Sequence, residues 1–179
     1  METFLHNLVK KLLEKANLSF EDISFINIAA SDAEYVLRTE KADAVVIWEP
    51  NITRLVDKGT AKIVAQGDET NLRGTNGFVV REEYLSSNSD IIYEILNQYS
   101  EAVKLIPSLN EEMLSKLSAA LRVNEEQIKS IVKKYDFSVQ ITQDDIDSLQ
   151  DTISFLASIN NLEYEYRVER KIDLTTFRK

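Results

Sequence analysis

No cysteine occurs in this chain, histidine appears once, proline twice and glycine four times. Each shortage removes a kind of chemistry. Without thiols there is no disulfide, no thiolate metal site and no thiol nucleophile. His6 is the single imidazole, so a Ser-His-acid site would have no second histidine to call on, and no serine sits in a nucleophile-elbow pattern. The glycines are too few and too badly spaced after any strand to form a phosphate-cradling loop. Positive charge is scarce as well: 21 Lys and Arg stand against 30 Asp and Glu, a net charge of -9. No basic face can be assembled to neutralise nucleic-acid phosphates, and the overall field does not steer anions inward. No apolar run approaches a bilayer span, and Met1-Glu2-Thr3 leads into an amphipathic pattern rather than a basic, then apolar, leader. The expected location is cytoplasmic if Met1 is the true start, and extracytoplasmic if the chain is part of a longer exported precursor.

What is present is an ordinary folded composition. The chain has 179 residues, 44% of them hydrophobic and 28% charged, enough for one good core or two small lobes. Leu5, Leu8, Val9, Leu12, Leu13 and Ala16 recur at helical spacing, which predicts an opening amphipathic helix ended by Asn17 in the left-handed position. Residues 23–29 read as a strand. Ser31-Asp32-Ala33-Glu34 has the form of a capping box that starts a helix.

Residues 42–50 then run Ala-Asp-Ala-Val-Val-Ile-Trp-Glu-Pro, an apolar strand covered on both faces and followed by a first-turn proline. Gly59 stops the next helix, and residues 61–65 make another strand. Alternating helices and strands predict βαβ units with a parallel sheet. Residues 67–77 hold three of the four glycines and break the rhythm, so the expected organisation is a lobe over 1–74 and a second segment over 75–179. Residues 77–81 form one more strand. Beyond it, caps at Asn110, Asn124 and Thr142 start successive helices, after a long one marked by Ile91, Ile95, Tyr99 and Ile106.

In open α/β sheets ligands sit outside the carboxyl ends of the strands. Ser31, Trp48, Glu49 and Asn76 fall at such ends. Two readings stay open for Trp48 and Glu49: a core aromatic with a helix-capping acid, or a stacking face with an acceptor for a ligand. Asp32 and Glu34 already fill the helix start after Ser31, so this chemistry suits a small polar or cationic ligand better than a free anion. Asp144, Asp145 and Asp147 cluster at a helix start, where the dipole accounts for them. The pairs Glu82-Glu83 and Glu125-Glu126 read the same way. Arg167, Arg170, Lys171, Arg178 and Lys179 interleave with acids and read as a solvated surface. No metal or cofactor is called for.

Ser31-Asp32-Ala33, Ala42-Asp43-Ala44 and Trp48-Glu49-Pro50 resemble the nitrate/sulfonate/taurine and thiamine-precursor substrate-binding proteins of ABC transporters. Gly77-Phe78-Val79-Val80-Arg81, Lys134-Tyr135-Asp136-Phe137 and Asp145-Ile146-Asp147-Ser148-Leu149-Gln150 extend that resemblance along the chain. It implies a type 2 periplasmic-binding-protein fold: a three-layer αβα lobe followed by mainly helical segments that normally complete the other lobe. Thr3 and His6 match part of the family's Gly-Thr-Thr-x-His helix start, which touches the ligand, while the glycine and second threonine are absent. The resemblance implies a solute-binding component of an ABC-type uptake system, with Thr3, His6, Ser31, Trp48, Glu49 and Asn76 at the ligand and a permease as partner. Most of the family's first lobe has no counterpart here, so the 77–81 strand is expected to pair with another copy or a separately supplied half. The alternatives are a same-fold enzyme of pyrimidine-precursor or menaquinone biosynthesis, or a non-binding remnant or sensory fragment. One imidazole and no thiol would leave acid-base work to carboxylates alone, which weighs against the enzyme.

Overall fold

The computed structural model describes residues 4–160 and 166–173. They divide into two units, Met1–Gly74 with Ser148–Tyr166, and Thr75–Asp147 with Arg167–Lys179.

The first unit is built on helix α1 (Phe4–Lys15), whose buried residues are Asn7, Leu8 and Val9. Asn17 ends it at φ 58°, in the left-handed position its short polar side chain tolerates. Helices α2 (Ala33–Arg38) and α3 (Asn51–Asp57) follow and bury Ala33, Val36 and Leu55. Gly59 closes α3 at φ 67°, where a side chain would be strained. The stop signals were thus legible one residue at a time.

The second unit begins with α4 (Glu82–Ser87) and α5 (Ser89–Val103), and α5 buries none of its residues. Glu82 and Glu83 open α4, in the first-turn position where the dipole reading puts them. Helices α6 (Glu111–Leu121) and α7 (Glu125–Val132) form a hairpin turned by Arg122 at φ 54°. Its core is Leu114, Val123 and Ile128, with Leu109, Leu117 and Val132 packed against them. Leu121 lies exposed beside the turn. Asn110 accepts the Met113 amide at 2.9 Å and Asn124 the Gln127 amide at 2.8 Å, both as predicted caps. Helix α8 (Gln143–Ile159) starts on a reciprocal cap: the Asp145 amide donates to Thr142 Oγ1, and the Thr142 amide donates to Asp145 Oδ2 at 2.8 Å. Asp145 is therefore engaged with the helix start itself.

Two expectations need correction. Ser31 and Glu34 form no capping box. The chain enters α2 through a 3-10 turn, Ala30–Asp32, and Asp32 stands at the cap position without a side-chain bond. Glu34 turns away to Lys58 at 2.6 Å and Arg38 at 3.6 Å; two cations win over one backbone amide.

The predicted strands also differ. Residues 23–29, 42–48, 61–65 and 77–81 are non-helical, and Ile23, Ala29, Gln66 and Arg81 at or beside their ends lie in the β region. Among the described residues, however, none is assigned to a strand. The apolar run predicts extended backbone, which is a local property. A ladder needs a second backbone about 4.8 Å away, and that is not local.

Candidate functional site

His6 lies on α1 within a nest of rings. Its imidazole stacks on Phe25 at 4.9 Å between centroids and meets Phe20 and Phe155 edge-on at 4.6 and 5.4 Å. The 20–25 stretch and α8 thus converge on one imidazole, and Phe20 also meets Phe25 at 5.9 Å. Nothing local in the sequence signals this convergence; Phe25 reads there only as a strand residue. Beside His6, Asn7 is 1% exposed. Its amide donates to Asp151 Oδ2 and Thr152 Oγ1, each at 3.2 Å. Lys11 reaches the same Asp151 at 3.1 Å. A buried side-chain amide with two partners on α8 ties that helix to α1, because leaving those groups unpaired would cost more than the bonds gain. Ser148 adds a further tie by accepting from the Arg73 amide at 2.7 Å and donating to the Arg73 carbonyl at 3.2 Å.

Trp48 ends the 42–48 run and is 54% exposed. It has no ring partner among the described residues. A core aromatic would be buried more deeply than this. Glu49 is half-buried and joined to Pro50 by a cis peptide bond. Its Oε2 accepts from the Thr53 amide at 3.0 Å. Thr53 is the third residue of α3, and Pro50 at the cap position offers no side-chain bond. The carboxylate of Glu49 therefore caps α3 from one residue further out.

Ser31 is exposed, with its hydroxyl 3.4 Å from Asp32 Oδ1. The nearby Glu34 carboxyl is held below its ordinary 4.5, first by the hydrogen bond from Lys58 and then by Arg38. Asn76 is exposed and belongs to the second unit. Thr3 lies outside the described residues. Ser31, Trp48, Glu49 and His6 all belong to the first unit, but no hydrogen bond or ring contact joins His6, Ser31 and Trp48 to one another. What the first unit offers is an open indole face, a hydroxyl and a packed imidazole.

The course of the backbone matches "Crystal structure of the periplasmic aliphatic sulphonate binding protein SsuA from Escherichia coli" with a TM-score of 0.80 and 19% identity, over 99% of this chain and 61% of that one. The fold is that of a periplasmic binding protein. Two curated relatives agree in name, each called "Putative aliphatic sulfonates-binding protein". The one from Escherichia coli (strain K12) is 27% identical over 116 residues, covering 65% of this chain and 36% of its own length. The one from Bacillus subtilis (strain 168) is 24% identical over 159 residues, covering 88% of this chain and 48% of its own length. The chain thus spans less than half of either curated relative. No protein-family model matches it. The resemblance read from the sequence motifs and the periplasmic-binding-protein fold therefore agree, and among the family's substrate classes the relatives' names single out aliphatic sulfonates.

Proposed function

We propose that this chain is the solute-binding component, present as a partial chain, of an ABC-type uptake system for a small sulfonate. The observation that carries the reading is the SsuA-like course of 99% of the chain, joined by two relatives whose names specify aliphatic sulfonates. In this reading residues 1–74 are the ligand-binding lobe, and residues 75–179 supply a crossing strand and helices that belong with the other lobe. Residues 23–29, 42–48 and 61–65 are the segments that would pair as the parallel strands of a three-layer αβα lobe, a reading supported by the unbroken apolar run at residues 44–48. The partner is a membrane permease, and the location is extracytoplasmic as part of an exported protein. Taurine, nitrate and thiamine precursors stand behind alkyl sulfonates as ligands.

A sulfonate combines an apolar tail with an anionic head. Trp48 suits the tail, since an open indole face covers aliphatic carbon at little entropic cost. Ser31 offers a hydroxyl donor for the head. Glu34 next to Ser31 would repel an anion, but Lys58 and Arg38 lie against it and offset its charge. His6, packed among rings, serves as a positioning residue for α1. Binding by such a site needs no group that changes bonds, in keeping with a chain that offers one imidazole and no thiol.

Thermal unfolding with a panel of alkyl sulfonates tests the proposal, with taurine, nitrate, bicarbonate and a thiamine precursor as comparisons. A ligand at a hundred times its dissociation constant should add about 2.7 kcal/mol. A shift with alkyl sulfonates above the others supports it, and no shift with any of them at high concentration sinks it.

A further inference from the structure

Asparagine followed by glycine occurs once in this chain, at Asn76-Gly77. Both residues are exposed, and residues 72–81 lie in no helix or turn. Among the described residues, neither the Asn76 side-chain amide nor the Gly77 backbone N–H takes part in a hydrogen bond. A β-carbon placed on Gly77 would meet nothing within 4 Å. The other described asparagines are held or crowded. They sit within helices, or are tied by side-chain bonds, as at Asn88, whose amide donates to the Tyr84 carbonyl at 3.1 Å. Those that remain are followed by Leu or Ile, whose side chains crowd the next backbone nitrogen.

We propose that Asn76-Gly77 is a site of spontaneous covalent rearrangement, in which Asn76 closes to a succinimide and reopens as isoaspartate or aspartate. The Gly77 nitrogen loses its proton and bonds to Asn76 Cγ. The Cγ–Nδ2 bond breaks, and Nδ2 leaves as ammonia with the proton that Gly77 gave up. Solvent water then opens the ring. Attack at Cγ restores the original main chain and leaves aspartate. Attack at the main-chain carbonyl carbon of Asn76 reroutes the backbone through Cγ and leaves isoaspartate. Closure requires the Gly77 nitrogen to swing onto the Asn76 side chain. A hydrogen-bonded backbone resists that motion, and a side chain on the following residue hinders it; neither obstacle is present at Gly77. Either product adds one negative charge to a chain already at -9, and isoaspartate also lengthens the main chain by a methylene. That extra carbon lies two residues before Phe78 and re-aims its ring, which meets Tyr99 of α5 edge-on at 5.5 Å. The step needs no ligand and stands apart from the sulfonate reading.

The test incubates the whole folded chain at neutral pH and follows the tryptic peptide 74–81, released by cleavage after Arg73 and Arg81. Mass spectrometry with fragmentation separates isoaspartate from aspartate, and methylation by an isoaspartyl carboxyl methyltransferase counts the isoaspartate independently. The expected result is conversion at Asn76 at least about tenfold faster than at Asn88, the one asparagine followed by serine, with isoaspartate among the products. Gly77→Ala should slow conversion at least about tenfold without lowering the unfolding temperature, because the added methyl has open space and hinders only ring closure. Conversion at Asn76 no faster than at Asn88, conversion indifferent to Gly77→Ala, or aspartate as the sole product would each overturn the proposal. So would conversion that begins only once urea has unfolded the chain, since the folded segment would then be holding the bond in place.

Discussion

Replacing Glu49 separates its structural role from any contact with a ligand. Its Oε2 accepts the Thr53 amide at 3.0 Å, at a helix start where Pro50 supplies no side-chain cap. Losing a capping bond costs typically about 1 kcal/mol, and losing a carboxylate near the positive end of a helix a further 0.3–1 kcal/mol or so. The residue is only half-buried, so solvent screening favours the low end of the second figure. Glu49→Ala should therefore cost about 1–1.5 kcal/mol. At roughly 2–4 °C per kcal/mol for a chain of this size, the unfolding temperature should fall by about 2–6 °C. Glu49→Gln keeps an acceptor oxygen in place and should lose only the charge contribution, well under 1 kcal/mol. Repeating both melts with a saturating alkyl sulfonate tests the second role. An acid that only caps leaves the ligand-induced shift unchanged in both variants, and one that also touches ligand reduces it in both. An unfolding temperature unmoved by Glu49→Ala would refute the capping assignment outright.

Trp48→Ala should remove the sulfonate-induced shift. The residue keeps 54% of its surface in water, so of about 250 Å² it buries roughly 115 Å², and the stability cost should stay at or below about 3 kcal/mol; an unaltered ligand shift in the folded variant would retire the residue from the site. Ile128 is 1% exposed at the centre of the α6–α7 core, and Ile128→Ala should cost about 2–5 kcal/mol, read as a lower denaturant midpoint at unchanged slope. Glu34, Glu69 and Glu126 are each held below 4.5, by the hydrogen bond from Lys58, by the Gln66 backbone amide and by the hydrogen bond from Lys129, respectively. A lowered carboxylate stabilises the fold fully above its unfolded value and loses that contribution as pH falls through the lower, folded one. The unfolding temperature should therefore decline below about pH 4.5, less steeply in a Glu34→Gln/Glu126→Gln variant than in the parent; identical acid branches would exclude these carboxylates. Lys129 is raised above 10.5 by Glu126, so its contribution is complete below 10.5 and is lost as pH rises past the folded value.

Features decided within four or five residues could be read before the structure. Asn110, Asn124 and Thr142 cap because their side chains reach an amide two or three residues on, and Asn17 and Gly59 end helices because they tolerate positive φ. Ser31-Glu34 has the same local form and fails. The competing partner, Lys58, is 24 residues away, and nothing near Glu34 announces it. The His6 nest was illegible for the same reason: Phe155 on α8 is more than a hundred residues from His6, Phe20 and Phe25. Of the candidate site, the sequence motifs supplied the residues and their order. Whether Ser31, Trp48 and Asn76 meet one ligand depends on tertiary placement that local pattern does not carry.

Trp48 and Val79 bring out the same limit from opposite directions. Both close or occupy apolar runs whose composition predicts burial on two faces, and both are largely in water, at 54% and 98% exposure. Pattern registers how strongly a side chain prefers to leave water; it does not register whether a surface arrives to cover it. At roughly 25 cal/mol per Å², leaving Phe78, Val79, Ile91, Ile95 and Tyr99 open forgoes several kcal/mol, comparable to the whole stability of a small domain. A ligand the size of a sulfonate can cover one indole face. It cannot cover a helix stripe as well, so exposure at Trp48 and exposure along α5 differ in the area that burial would have to supply.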